Sequence, residues 1–243
     1  KRQGASVAAG SFRSAAQIYN PLRIVGELDG PARIEAPGLG VIDVKWELMH
    51  ASTRLATPLP TRSSLEARQI SATREGEALF NAENMQAHMR PNGADVDVAV
   101  SFDALVLDAA LLQGRNVPPL SGTADATIKD GVALAASGKG GLRGQSATVH
   151  NLTLYTGADA GFTLSGDILV DQDGLVDADL QLSITNPNAL SRVAEEVFPE
   201  ARSNIRTAFA GLTLLGRNPT MPLRIVKGRA TLGFIPLGNI RPL

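Results

Sequence analysis

Three histidines, His50, His88 and His150, are the side chains of this chain best suited to acid–base work or metal binding near neutral pH. Each falls in a stretch that reads as strand, and none has a second ligand-type residue at helical or Cys–His spacing. They read as surface or half-buried histidines. The 243 residues include no cysteine, which removes disulfides, thiolate catalysis and cysteine-based zinc sites together. No Gly-x-Ser-x-Gly nucleophile elbow occurs.

Three further groups invite a chemical reading and do not sustain it. The loop Gly138-Lys139-Gly140-Gly141-Leu142-Arg143-Gly144 looks like a phosphate cradle. However, no Ser or Thr follows Lys139, the glycine spacing misses the dinucleotide fingerprint, and a strand rather than a helix is expected after it. Asp171-Gln172-Asp173-Gly174, with Asp177 and Asp179 downstream, has the look of a calcium loop. It lacks the third early ligand and the terminal bidentate glutamate, and an Asp-Gly turn between two strands explains it. Asp95 and Asp97 alternate with valines as a solvated strand face does, and Asp103 and Asp108 add no pairing. No catalytic, cofactor-binding or metal-binding residue is therefore expected, and no cofactor; the chain reads as a non-enzyme.

Composition points the same way. The residues are 44% hydrophobic and 19% charged but only 4% aromatic, so the interior must be built from Ala, Val, Leu and Ile. With 23 basic against 24 acidic side chains, the balance gives no reason to expect nucleic acid or an anionic membrane as a partner. No run of 18 apolar residues exists to span a bilayer.

Period-two alternation dominates the elements that would position any site. The clearest example is a meander over residues 146–155, 161–170 and 175–184, joined by short turns as in an up-and-down antiparallel sheet. Residues 22–28 and 32–36 form an expected hairpin around Asp29-Gly30-Pro31. Residues 41–55 read as one long strand with Val44, Trp46 and Leu48 on one face. Residues 94–107 alternate well but change register near Asp103, where a bulge is one cause. Residues 109–112 suit a short helical turn, and 121–128 with 132–136 suit a hairpin around Lys129-Asp130-Gly131. Residues 221–226 and 230–235 read as two closing strands. Pro21-Leu22-Arg23-Ile24-Val25 recurs as Pro222-Leu223-Arg224-Ile225-Val226, a strand entered after a proline, which suits a sheet edge. No linker or change of composition divides the chain, so one β-rich domain over residues 1–243 is expected.

Residues 188–215 alone hold apolar side chains at helical spacing for more than two turns. Asn186 or Asn188 can cap the start, and Gly216 sits where a C-terminal cap is expected. Pro199 interrupts the stripe and would cost a straight helix roughly 3 kcal/mol. Two helices are expected, with Pro199 in the first turn of the second and Glu200 near its N-terminus; a kinked single helix is the alternative.

The run Gly228-Arg229-Ala230-Thr231-Leu232-Gly233-Phe234-Ile235-Pro236-Leu237, with Ile240-Arg241-Pro242-Leu243 after it, resembles the closing pattern of the family catalogued as domain of unknown function 2125 (DUF2125). Tyr19-Asn20-Pro21-Leu22-Arg23-Ile24-Val25 and the 161–182 meander, with Gly166, Asp171 and Gly174, fit the same family in the same order. The resemblance implies a bacterial envelope protein with a periplasmic domain and an N-terminal inner-membrane anchor. On that reading the chain, which opens at Lys1, is a fragment without the anchor and the first strands. The family has no known catalytic residues to carry over.

The expectation is thus a mainly β (α+β) protein: a large curved antiparallel sheet of meander hairpins, a helical segment over about 188–215 packed on one face, and two closing strands. The first functional expectation is a lipid or other apolar small molecule held in a β groove, lined at the helices by Val197, Phe198, Ile205 and Phe209. The second is a scaffold or interaction subunit with an envelope protein as partner and no ligand. An envelope hydrolase is the third.

Overall fold

Alternating sequences commit most of this chain to strands, and β-strands satisfy their backbone groups only by pairing. The computed structural model describes residues 6–36, 40–137, 141–157, 159–214 and 216–243. It is mainly β, and every pairing between neighbouring strands set out below is antiparallel. Two compact units are distinguished, Lys1–Met89 with Val100–Ser121, and Arg90–Ala99 with Gly122–Leu243.

The first unit holds β1 (Ser6–Ala9), β2 (Phe12–Gln17), β3 (Asn20–Leu28), β4 (Ala32–Ala36), β5 (Gly40–Lys45), β6 (Leu48–Arg54), β7 (Arg62–Arg74) and most of β8 (Glu77–Asn92). Its sheet forks at β7. The first half of β7 pairs with β6, which leads to β3 and β2, while the second half pairs with β5, which leads to β4 and β1. At the fork Gln69 takes φ +48°, and the apolar members of β7 change from Leu65 and Ala67 to Ile70 and Ala72. That switch is why the alternation there is imperfect in sequence. The expected single strand over 41–55 is two strands, because the chain changes partners at Trp46, whose indole Nε1 donates to the Leu28 carbonyl at 2.8 Å. The segment before residue 20, whose small polar residues carry no strand signal, supplies β1 and β2.

In β9 (Asp95–Leu107) the register change expected near Asp103 coincides with Ala104, at φ +49°, whose N–H donates to Ser121 Oγ at 3.2 Å. The helical turn over Ala109–Leu112 is a 3-10 turn capped by the Asp108 carboxylate, which accepts from the Ala110 N–H at 2.8 Å.

The second unit holds β10 (Leu120–Ile128) from Gly122 on, α1 (Gly131–Ser137), β11 (Ser146–Thr156), β12 (Ala160–Val170), β13 (Val176–Thr185), α2 (Pro187–Val197), α3 (Arg202–Thr213), β14 (Thr220–Val226), β15 (Arg229–Leu232) and β16 (Ile235–Asn239). The meander forms as expected, and β14 and β15 are the closing strands, followed by β16. The hairpin expected around Lys129-Asp130-Gly131 does not form. Its second arm is α1, whose Val-Ala-Leu-Ala-Ala core favours helix. Asp130 at φ +51° turns the chain there, its N–H donating to Asp95 at 2.9 Å. The echoed strands β3 and β14 are both interior, each with a partner on either side. Their prolines are tolerated because the flanking ladders start later, at Arg23 against β6 and at Leu223 against β15.

Pro199 divides the helical segment as expected: α2 ends at Val197, and a 3-10 turn over Pro199–Ala201 leads into α3. Asn186 caps α2 by accepting from the Ala189 N–H at 3.3 Å. The helices pack chiefly on each other, with Arg206 donating to Glu195 at 2.7 Å, and α2 touches β12. The Arg206 guanidinium holds the Glu195 carboxyl below the usual range.

Candidate functional site

Residues directly opposite one another in an antiparallel ladder share a sheet face. In the second unit that rule sorts the side chains by polarity. Ala147, Ile168, Ala178, Ile225 and Ala230 form one transverse row across β11–β15. Two residues along, Leu180, Leu223 and Leu232 continue the same face from Gly166, followed by Leu152, Leu164, Leu182 and Met221, and then Leu154, Phe162 and Ile184. The opposite face carries Thr148, Asp167, Asp179, Arg224 and Thr231 in one row and Thr153, Thr163, Ser183 and Thr220 in another.

The apolar face is incompletely covered. Val170, Val176, Ile225 and Ala230 make a small buried cluster, with Ile168 and Ala178 packed on it and only half-buried. Over this end of the sheet lies an open groove of about 690 Å³, within the range of small-molecule sites. It runs on the opposite face: Ser146, Leu169, Asp177 and Val226 form one bank and Thr148, Asp167, Asp179 and Arg224 the other, with the backbone row of Ala147, Ile168, Ala178 and Ile225 between them and Lys129 at the end. Among the described residues no large side chain falls below 2% exposure. The apolar face is thus partly buried, at Leu180 and Ile184, and partly half-buried, along the Leu152, Leu164, Leu182 and Met221 row.

The four helix residues expected at a groove do not line this one. Val197 is buried at 6% exposure, Phe198 is 42% exposed, and Ile205 and Phe209 are half-buried. Sequence reasoning missed the groove because it depends on cross-strand register, although the alternation that builds its banks was visible strand by strand.

The histidines are accounted for by neighbours. His50 lies 3.7 Å from Glu27, and His88 Nδ1 lies 2.9 Å from Ser64 Oγ. His150 stands in the β11 bulge, where two residues oppose Ser165, and its Nε2 is 2.8 Å from Thr127 Oγ1. That hydroxyl is also 2.7 Å from the Asp97 carboxylate. A carboxylate only accepts, so the single Thr127 proton points to Asp97, and His150 donates to Thr127. This polarity is the reverse of what a histidine-activated nucleophile requires. The Thr127 hydrogen bond is also the main reason the Asp97 carboxyl is held below its ordinary range.

The acidic turn has its own occupant. Asp171 accepts from the Asp173 and Leu175 N–H groups at 2.9 and 2.8 Å and from Lys227 Nζ at 2.8 Å, and Lys227 also lies 3.4 Å from Asp177. Among the described residues no three His, Asp or Glu side chains gather as a metal site would need. The glycine-rich loop lies partly outside the described residues, at 138–140.

Lys227, above all, holds the Asp171 carboxyl below its ordinary 3.8. Because the folded-state pKa is the depressed one, this ion pair stabilises fully above the unfolded value and its contribution is lost as pH falls through the folded value. Thermal melting is expected to weaken below about pH 4, and Asp171→Asn should lower Tm at neutral pH and flatten part of that acid limb. An unchanged acid limb in the variant would assign the dependence to other carboxylates.

No helix of the described residues is long and apolar enough to cross a membrane. No curated protein and no solved structure matches the chain. The comparison with families does match, and it takes in the closing strands, the meander with Gly166, Asp171 and Gly174, and the β3 segment: residues 1–241 fit the family described as an uncharacterized protein conserved in bacteria (DUF2125), and the chain belongs to that family.

Proposed function

We propose that this chain is a non-enzymatic protein of the bacterial cell envelope that holds a lipid acyl chain, or a comparable apolar ligand, in the groove over β11–β14. The observation that carries the reading is the groove's own apolar wall: Leu169 and Val226, on its bank, stand 43% and 63% exposed instead of being packed away. Burying such a surface against hydrocarbon yields roughly 25 cal/mol per Å². Exposed aliphatic side chains with charged residues beside them also suit an amphiphile, whose tail seeks Leu169 and Val226 while its polar end stays at the Asp179 and Arg224 bank. A periplasmic setting, with anchorage to the inner membrane by a segment outside this chain, belongs to the same proposal and rests on the family resemblance.

Native mass spectrometry tests the reading directly. Protein purified from bacterial membranes without harsh detergent is expected to carry an adduct in the mass range of a bacterial lipid, released by solvent extraction. Protein that runs only at its bare mass, and takes up no lipid when offered it, would favour the scaffold reading, in which a protein partner covers the apolar face.

A further inference from the structure

The polar face of β3, β6 and β7 carries cross-strand rows with different charge patterns. In one, Arg13, Glu27, His50 and Glu66 follow in register from β2 to β7, and opposite charges meet, Arg13 to Glu27 at 3.0 Å. In the next, Val25, Ser52, Ser64 and His88 are in register, and none is a fixed charge. In the third, Arg23, Arg54 and Arg62 stand directly opposite one another on three adjacent strands. No acid is interleaved in this last row. Among the described residues none of these three guanidinium groups has an ion pair or a side-chain hydrogen bond.

Direct cross-strand neighbours have Cβ atoms about 5 Å apart, and like charges so placed are destabilising. A neutral chain, with 23 basic and 24 acidic side chains, has acids available to compensate the row, as it does two rows away. The uncompensated arginines surround a pocket of about 570 Å³, which Asn20, Ser52 and Ser64 also line. Planar guanidinium forks with hydroxyl donors beside them match a group that carries nearly two negative charges and three acceptor oxygens.

We propose that the Arg23–Arg54–Arg62 row is a binding site for a phosphate group, borne either by a soluble phosphoester or by the headgroup of an anionic lipid. The site lies wholly in the first unit and is argued without the apolar groove, so either reading can fail alone.

The test uses the intact chain. At matched ionic strength, inorganic phosphate is expected to raise Tm where chloride does not, and Arg54→Gln should weaken the apparent phosphate affinity by about tenfold or more. The same variant should raise Tm in phosphate-free buffer, since it removes a like charge from the row. A merely structural arginine would do the opposite. Arg62→Gln should repeat both effects, whereas Arg13→Gln, in the compensated row, should leave the phosphate response unchanged. Flotation with phosphatidylcholine vesicles containing phosphatidic acid, against phosphatidylcholine alone, distinguishes the sources. Binding to the acidic vesicles that Arg54→Gln abolishes assigns a lipid headgroup, and a phosphate response without vesicle binding assigns a soluble phosphoester. No response to phosphate beyond that to chloride, or an equal response in Arg54→Gln, overturns the site.

Discussion

Replacing Gly166 by valine is expected to destabilise the protein by about 3 kcal/mol or more. Gly166 takes φ +136°, a backbone conformation that L side chains rarely adopt, and a Cβ built there would lie 2.2 Å from the Asp179 carbonyl oxygen and 2.9 Å from Leu180 Cα. Both obstacles are backbone of the neighbouring strand β13, so no rotamer change relieves them. The position adjoins the β11 bulge, opposite Val149, where the ladder must absorb an extra residue. Gly76→Ala is the control. It also has positive φ, at +90°, but nothing within 4 Å of the added carbon, so it should cost about 1 kcal/mol from backbone strain alone. Urea unfolding of the two variants separates clash from strain. A Gly166→Val midpoint equal to that of Gly76→Ala would mean that β13 yields easily and that the bulge is not a fixed point of the sheet.

The residues that carried the family resemblance turn out to have structural work of this kind. Gly166 leaves no room for a side chain. Asp171 closes the β12–β13 turn through two N–H groups and ties it to Lys227. Gly174 combines φ +86° with a Cβ position only 2.4 Å from the Leu243 carbonyl oxygen. A pattern made of such residues identifies a family and its sheet while leaving its activity unnamed, because backbone geometry is shared by any chemistry that the surface supports.

What could be read from sequence followed the range of the interactions involved. The β11–β13 meander and the α2–α3 break at Pro199 were legible because each depends on neighbours within a hairpin or a turn. The arm over 132–136 was misread, since five residues fit either period and the deciding contacts come from β9: Asp95 accepts from the Asp130 N–H and from Lys129, and Gly131 sits so close to Val96 that a Cβ would lie 2.8 Å from the Val96 Cβ. β1 and β2 were invisible because their residues are small and polar, and they exist as strands through pairing with β4 and β3. The arginine row joins residues 23, 54 and 62, which no local pattern connects. The groove was half legible: the aliphatic alternation was plain, but which residues pair, and which of them remain open, required the register.

That distinction between a packed core and an open groove can be tested at Val226, which is 63% exposed on the bank of the groove. In a filled core, Val→Phe overpacks and costs about 1–3 kcal/mol. Here the added ring can extend into the 690 Å³ space, so Val226→Phe is expected to leave stability within about 1 kcal/mol of the parent, or to raise it by burying apolar area. The same ring occupies the volume assigned to the acyl chain, so the lipid adduct in native mass spectra should be lost. The two readouts are opposed: a core residue gives a destabilised protein with an unchanged ligand, and a groove residue gives a stable protein without one. Loss of both fold and adduct would return Val226 to the core and move any lipid site elsewhere on the sheet. Arg224→Gln, at the edge of the groove with its guanidinium 3.7 Å from Asp179, completes the comparison, because it should reduce the preference among headgroups while an acyl chain still binds.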